Sequence, residues 1–388
     1  MIQHGFRTLM VGSDTASFDK ESAVFSRLKD YSAKMKDLYV IVFSLKKDGF
    51  AEISDSEKNL HIIPTNSSSR LMYFFDAIKI GKKIIKKNGF SINSSALSCQ
   101  DPFESGIVGL YLKSKFHLPL QIQVHTDFLS PYFKNSFLNR VRVFISRFTI
   151  HKSNNIRVVS SVIKESIEKK FPKMGAKISI LPIFVDLEGI EKTLEGNSLS
   201  QNKFSKDFFM FSRLSKEKRF DIALLSFKKV VENFPDAGLT IFGSGKEKGN
   251  IEKMITELDL EGNVILNEPK INTEILSDFK RDQGIFLLTS EFEGYGMTLI
   301  EAGVSGFPVV TTKVGIAKTS LFESDKNCFI CEVGDVDCIA KSMIDFITNE
   351  EKRKSFGNNL RVSIKNISTN RDVYVSQYVG LLESILKK

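Results

Sequence analysis

The sequence predicts an α/β chain built as two doubly wound parallel-sheet domains. Three observations carry that prediction. Short, continuously apolar segments alternate with amphipathic stretches of helical period, as parallel strands covered by helices on both faces require. A polar stretch interrupts this alternation near the middle of the chain, after which it restarts. At 388 residues the chain exceeds one ordinary core and fits two domains of usual size.

The first half supplies seven strand candidates: FRTLMVGS (6–13), LYVIVFS (38–44), LHIIPT (60–65), ALSCQD (96–101), LQIQVH (120–125), IRVVSS (156–161) and ISILPI (178–183). ESAVFSRLKDYSAKM (21–35) and FESGIVGLYLKSKF (103–116) are helices between them. DLEGIEKTLEGNSLSQNKFSKD (186–207) reads as a linker with little core of its own. Six further strands follow: FFMFSR (208–213), LTIFG (239–243), VILNE (264–268), IFLLTS (285–290), PVVTT (308–312) and CFICEV (328–333). The expected boundaries are 1–186, 187–371 and a last helical segment, 372–388. In such sheets ligands bind outside the carboxyl ends of the strands, and a cleft between two sheets is a natural place for one.

Composition narrows the partners. A net charge of +9 favours anions such as nucleic acid, phosphorylated small molecules or acidic headgroups. Zinc-finger spacing, RNA-binding aromatic signatures and long basic runs are all missing, so nucleic acid is not expected. Four cysteines are too few for a disulfide scaffold; with no signal peptide and no membrane-spanning apolar run, the expected setting is cytoplasmic. Cys328, Cys331 and Cys338 have no histidine nearby and read as small buried residues rather than a zinc site. Asp335-Val336-Asp337 precedes a helix, where aspartate caps N–H groups, so no metal is expected there. GSGKEKG (243–249) fits neither a dinucleotide nor a Walker A loop. RLMYFFDAIKIGKKIIKKNG (70–89) and NRVRVFISRF (139–148) are basic amphipathic helices. Peripheral contact with the inner face of an anionic membrane is one reading; a plain surface helix with one buried face is the other.

The stretch SEFEGYGMTLIEAG (290–303) carries the chemistry. A buried strand precedes it, and a helix opens near Gly296 and Met297, presenting unpaired N–H groups and the positive end of a dipole. Gly294 and Gly296 let the backbone approach an anion closely. Glu293 and Glu301 would repel phosphate but accept hydrogen bonds from sugar hydroxyls. A ligand with hydroxyls flanking phosphates is a nucleotide sugar. Taken alone, the stretch also fits a tight turn followed by a solvated glutamate.

This block resembles the Glu-x7-Glu motif of retaining GT-B glycosyltransferases, in particular glycosyltransferase family 4 and its bacterial polysaccharide-assembly members. MFSRLSKEKRFDIALLSF (210–227) is similar to the family's Gly-Arg-Leu…Lys-Gly block, with Ser212 and Arg219 in place of its two glycines. GFPVVTTKVG (306–315) and LTIFGSG (239–245) resemble further motifs, and QDPFESGIVGLYLKSKFHLPLQIQVHTDF (100–128) resembles the acceptor-domain segment. IRVVSSVIKESI and ILPIFVD match the end of that domain, with Ile183-Phe184 where many members have Asn-Gly. The loop 11–22 lacks the family's glycine pair, which leaves acceptor contacts near Ser13 without support.

The resemblance implies an N-terminal acceptor domain and a C-terminal donor domain, both Rossmann-like and facing across a cleft, with the last helix returning to the first. It implies that Glu293 and His125 contact the donor sugar, Arg213 and Lys218 clamp the diphosphate, and Glu301 binds the ribose. The backbone of Gly294, Tyr295, Gly296, Met297 and Thr298 would hold the diphosphate. The implied reaction retains anomeric configuration and moves a hexosyl group from a nucleotide-diphosphate sugar to a saccharide or lipid-linked acceptor. It needs no metal cofactor, and its base stays open among uridine, guanosine and adenosine. A sugar-nucleotide epimerase and a non-catalytic nucleotide-sugar-binding protein are the competing readings.

Overall fold

The computed structural model describes residues 5–55, 59–196, 206–280, 284–367 and 370–386. They form two compact units, Met1–Ile183 with Thr369–Lys388, and Phe184–Ser368.

The first unit contains β1 (Arg7–Gly12), β2 (Asp37–Val42), β3 (Ile53–Asp55), β4 (Leu60–Pro64), β5 (Ser95–Cys99), β6 (Leu120–Val124), β7 (Asn155–Val158) and β8 (Ile178–Ile180). Their spatial order is β3-β4-β2-β1-β5-β6-β7-β8. Every pairing is parallel except that of β3, an antiparallel edge strand the sequence reading missed. Connections run one way from β1 and the other way from β5, so the chain switches direction between these strands. Five helices cover the sheet: α1 (Ala23–Ala33), α2 (Tyr73–Lys87), α3 (Glu104–Phe116), α4 (Phe137–Lys152) and α5 (Ser161–Lys170). Ser22 and Ser160 start α1 and α5 by accepting hydrogen bonds from Phe25 N and Ile163 N.

The second unit repeats the plan with β9 (Lys206–Phe211), β10 (Ala237–Phe242), β11 (Val264–Asn267), β12 (Ile285–Leu288), β13 (Val309–Thr312) and β14 (Phe329–Cys331). All six are parallel in the order β11-β10-β9-β12-β13-β14, which places its switch point between β9 and β12. The helices are α6 (Leu187–Gly196), α7 (Phe220–Asn233), α8 (Lys248–Glu257), α9 (Asn272–Lys280), α10 (Met297–Val304), α11 (Val336–Thr348) and α12 (Glu350–Ile367). Phenylalanine fills much of this core: the Phe209 ring lies 4.4 Å from Phe279 and 4.9 Å from Phe307.

Two expectations need correction. Part of the supposed linker is helix α6, which buries Ile190 and Leu194 and pairs Glu191 with Arg361 and Lys365 of α12. Residues 197–205 of that stretch lie outside the described residues. Cys331 and Cys338 are disulfide-bonded rather than simply small buried residues, whereas Cys328 is free and buried as expected, and Cys99 is free and buried too. Asp335 does cap α11, accepting from Cys338 N at 2.9 Å.

The last helix, α13 (Arg371–Glu383), packs in the first unit over a buried polar seam. Tyr378 stacks on Tyr31 with ring centres 4.1 Å apart. Its hydroxyl accepts from Gln123 Nε2 at 3.0 Å, and Arg157 donates to Tyr374 OH at 2.9 Å. The Gln123 amide on β6 and one guanidinium nitrogen of Arg157 on β7 thereby find partners.

Candidate active site

All the sequence-predicted residues of the second unit except Arg213 lie on the elements that meet at its switch point. β12 ends at Leu288, and the buried Thr289 and Ser290 carry the chain into the 291–296 turn. Thr289 Oγ1 donates to the carbonyls of Lys218 and Arg219 at 3.1 and 3.0 Å, tying this turn to the loop after β9. Lys218 Nζ then reaches Glu293 Oε1 at 2.6 Å, and Ser290 Oγ donates to the same oxygen at 2.7 Å. Both members of the ion pair are largely buried, with side chains 14% and 11% exposed.

A third loop braces the turn from behind. Gly315, at φ +50°, lies so close that a Cβ there would meet Tyr295 O at 2.5 Å and Glu293 Cβ at 2.9 Å. Ile316 N donates to Tyr295 O at 2.7 Å. Gly296, at φ +97°, then turns the chain into α10, whose first N–H groups need partners from outside the helix. Only glycine takes these two backbone conformations without strain.

Glu301 sits on α10, and Asn272 at the start of α9 donates to its Oε2 at 2.9 Å. Burial pushes its carboxyl up to about 7, and the Asn272 hydrogen bond offsets only part of that shift. Near neutral pH this carboxyl therefore exists in both forms.

The two family glycines replaced in this chain behave differently. Arg219 takes the left-handed conformation, φ +51°, that a glycine adopts freely, and its guanidinium pairs with Asp221 and Glu291. Ser212 directly follows β9 with no positive φ, and its carbonyl is so near Gly243 that a Cβ there would meet it at 2.1 Å. Arg213 is not gathered with the others: its side chain is 82% exposed and lies 3.6 Å from Glu217.

His125 belongs to the first unit, directly after β6. Burial and the Arg157 and Arg27 guanidiniums push its imidazole down to about 3, so it is neutral at physiological pH. Asp127, two residues on, does not pair with it; its Oδ1 accepts from Ser166 Oγ at 2.7 Å and Leu129 N at 3.2 Å. Asn272, Thr289, Ser290 and Arg157 were not legible as site residues: Ser290 and Arg157 lie in quoted stretches whose pattern gives them no role, and Asn272 and Thr289 are polar residues with no motif role of their own.

Removing one member of a buried ion pair strands the other. Lys218→Met should lower stability by about 2–3 kcal/mol at pH 7 in urea unfolding, and adding Glu293→Gln should recover most of that loss. A single variant as stable as wild type would show that the pair does not hold the two loops.

Comparison with known proteins completes the assignment. The family described as Glycosyltransferase Family 4 matches residues 28–188, and that described as Glycosyl transferases group 1 matches residues 192–362. An uncharacterized glycosyltransferase of Methanocaldococcus jannaschii is 25% identical over 329 residues, covering 84% of this chain and 85% of that protein. The poly(glycerol-phosphate) alpha-glucosyltransferase of Bacillus subtilis is 30% identical over 167 residues. That match covers 43% of this chain and 24% of the enzyme, so the chain spans about a quarter of its length. Among solved structures, Anabaena HepE in complex with UDP and glucose has the same fold, with a TM-score of 0.71 and 17% identity over 97% of this chain and 98% of that one. With consecutive family matches over both units and this fold, the chain belongs to the group 1 glycosyl transferases with a family 4 amino-terminal region, and its architecture is GT-B.

Proposed function

We propose that this glycosyltransferase moves a hexosyl group, with retention, from a nucleotide-diphosphate sugar to a saccharide or lipid-linked acceptor. The observation that carries the reading is the convergence, at one switch point, of a buried Lys218–Glu293 pair, the start of α10 and the Glu301 carboxyl. Glu293 accepts hydrogen bonds from hydroxyls of the donor sugar. Lys218 and the backbone N–H groups from Gly294 through Tyr295, Gly296, Met297 and Thr298 receive the diphosphate, and Glu301 accepts from the ribose hydroxyls. Exposed Arg213 is the second cation, swinging from Glu217 to the ligand. Neutral His125 donates a hydrogen bond to the transferred sugar and is not a proton carrier at neutral pH.

The chemistry balances without a metal. The bond from the anomeric carbon to the diphosphate oxygen breaks as a new one forms to the acceptor hydroxyl on the same face. The hydroxyl proton passes to the departing diphosphate. Lys218, Arg213 and the α10 dipole neutralise charge growing on that group, the main electrostatic demand of the step. The α-linked product named for the B. subtilis relative is what retention from an α-linked donor gives, and UDP in the HepE complex makes uridine the first base to test.

The acceptor side is proposed to meet an anionic membrane. Among the described residues no helix is long and apolar enough to cross a bilayer. Helix α4 buries Val143, Ser146 and Ile150, but its outward face is not the solvated one of an ordinary surface helix: Phe137, Phe144 and Phe148 point out beside exposed Arg140 and Arg147. An aromatic stripe with flanking guanidiniums suits the headgroup region of such a membrane.

Two measurements test the proposal. UDP and UDP-hexoses should raise the melting temperature of wild type, and Glu301→Ala should abolish the shift. Because hydroxyl donors favour the ionised carboxylate, UDP should bind about tenfold more tightly at pH 8 than at pH 6. Glu301→Gln should retain only the part of that change due to UDP itself. If uridine, guanosine and adenosine nucleotides all leave the melting temperature unmoved, the donor site is wrongly assigned. Separately, vesicles rich in phosphatidylglycerol should sediment the wild-type protein, and Phe144→Ser/Phe148→Ser should stay in solution. Equal sedimentation of the two would remove α4 from the membrane contact.

A further inference from the structure

The first unit has its own switch point, between β1 and β5, and a cavity of about 290 Å³ lies there. Ser13 follows β1, Gln100 follows β5 and His125 follows β6, so the cavity opens at the carboxyl ends of the strands. Among the described residues, neither of its two guanidiniums has a carboxylate partner. Arg157 on β7 is only 3% exposed, yet the acceptors it meets are neutral: Gln123 Oε1 at 2.7 Å, the carbonyls of Leu181 and Pro182 at 3.1 and 3.2 Å, and Tyr374 OH at 2.9 Å. Its buried Nε has no hydrogen-bond partner. Arg27 of α1 lines the same cavity, and among the described residues no hydrogen bond or ion pair engages its guanidinium.

The two carboxylates at the cavity, Asp14 and Asp101, pair with neither guanidinium. Asp101 is occupied in starting α3, accepting from Phe103 N at 2.7 Å, Ser105 N at 3.2 Å and Ser105 Oγ at 2.7 Å. Asp14 accepts from Ala16 N at 3.2 Å in the turn after β1. Holding a guanidinium away from water without an anionic partner is unfavourable, and most buried arginines are paired. Arg157 by itself has a structural duty, fastening α13 to the sheet. Arg27 has none, and it is the second cation aimed at the same space.

We propose that this cavity binds an anionic group, a phosphate or a carboxylate, carried by the acceptor, with Arg27 in direct contact and Arg157 supplying fixed positive potential behind it. Assigning that anion to the acceptor rests on the glycosyl-transfer reading; the anion site itself does not. The acceptor class that follows is a hydroxyl compound with a phosphate or carboxylate within a few bonds of the hydroxyl that receives the sugar.

Calorimetry on the full chain, with UDP at saturation to fill the other switch point, tests this with three hydroxyl-bearing probes: glycerol 3-phosphate, L-malate and uncharged glycerol. One of the two anions should bind with unit stoichiometry while glycerol does not, and the preferred one identifies phosphate or carboxylate as the recognised group. Arg27→Gln should weaken that binding about tenfold or more, as loss of a charge-assisted hydrogen bond does, and leave UDP affinity unchanged. Anion binding that is absent from wild type, or unaltered in Arg27→Gln, overturns the proposal and leaves the donor reading standing. UDP that fails to bind while Arg27-dependent anion binding persists overturns the donor reading alone.

Discussion

The Lys218–Glu293 ion pair is the constraint around which the second unit's site is arranged. It joins the loop after β9 to the loop after β12, the two strands between which the sheet reverses its winding. Buried pairs are poor stabilisers, since taking both charges out of water cancels most of their attraction. The proposed function gives the pair a purpose: a cation and a carboxylate fixed side by side before binding would offer one partner to a phosphate and one to a hydroxyl, with little reorganisation left for the reaction. The surrounding hydrogen bonds serve that arrangement: Ser290 on the same glutamate oxygen, Thr289 on the backbone of Lys218, and Gly315 leaving room for the turn.

The two units solve one problem with different electrostatics. Each has a parallel sheet whose switch point opens to ligand. In the second unit carboxylates and a lysine are interleaved, which suits a ligand that alternates hydroxyls and phosphates. In the first unit two guanidiniums face a cavity whose carboxylates are committed to local turns. His125 adds no charge there, because burial and those same guanidiniums keep it neutral.

Much of this was legible in the sequence. The thirteen strands read from the sequence all exist, because each carries apolar residues that its sheet buries, even where β6 and β7 interleave them with Gln121, Gln123 and Arg157. The Glu293–Glu301 spacing and the glycines between them point to the candidate site because they encode backbone geometry as well as chemistry. What escaped had no such local signature. β3 is three residues with one half-buried isoleucine, too short for any period to show. Helix α6 hides in a polar stretch because two buried residues, Ile190 and Leu194, are enough to dock it. The Cys331–Cys338 bond depends on the approach of β14 and α11, which spacing does not determine. Arg157 and Tyr378 are 221 positions apart, and only the fold brings that guanidinium over that ring. Arg219 is a subtler case: at a position where the resemblance expects glycine, an arginine holds a left-handed conformation that glycine adopts freely.

The most direct test follows the donor by proton NMR as wild-type protein is incubated with a UDP-hexose and a panel of hydroxyl acceptors that includes anionic ones. The account predicts release of UDP, a new sugar linkage whose anomeric configuration matches the donor, and loss of both signals in Glu293→Gln. A product of inverted configuration would contradict the same-face mechanism. Intact uridine, guanosine and adenosine donors after prolonged incubation, with every acceptor tried, would contradict the assignment of glycosyl transfer to this site.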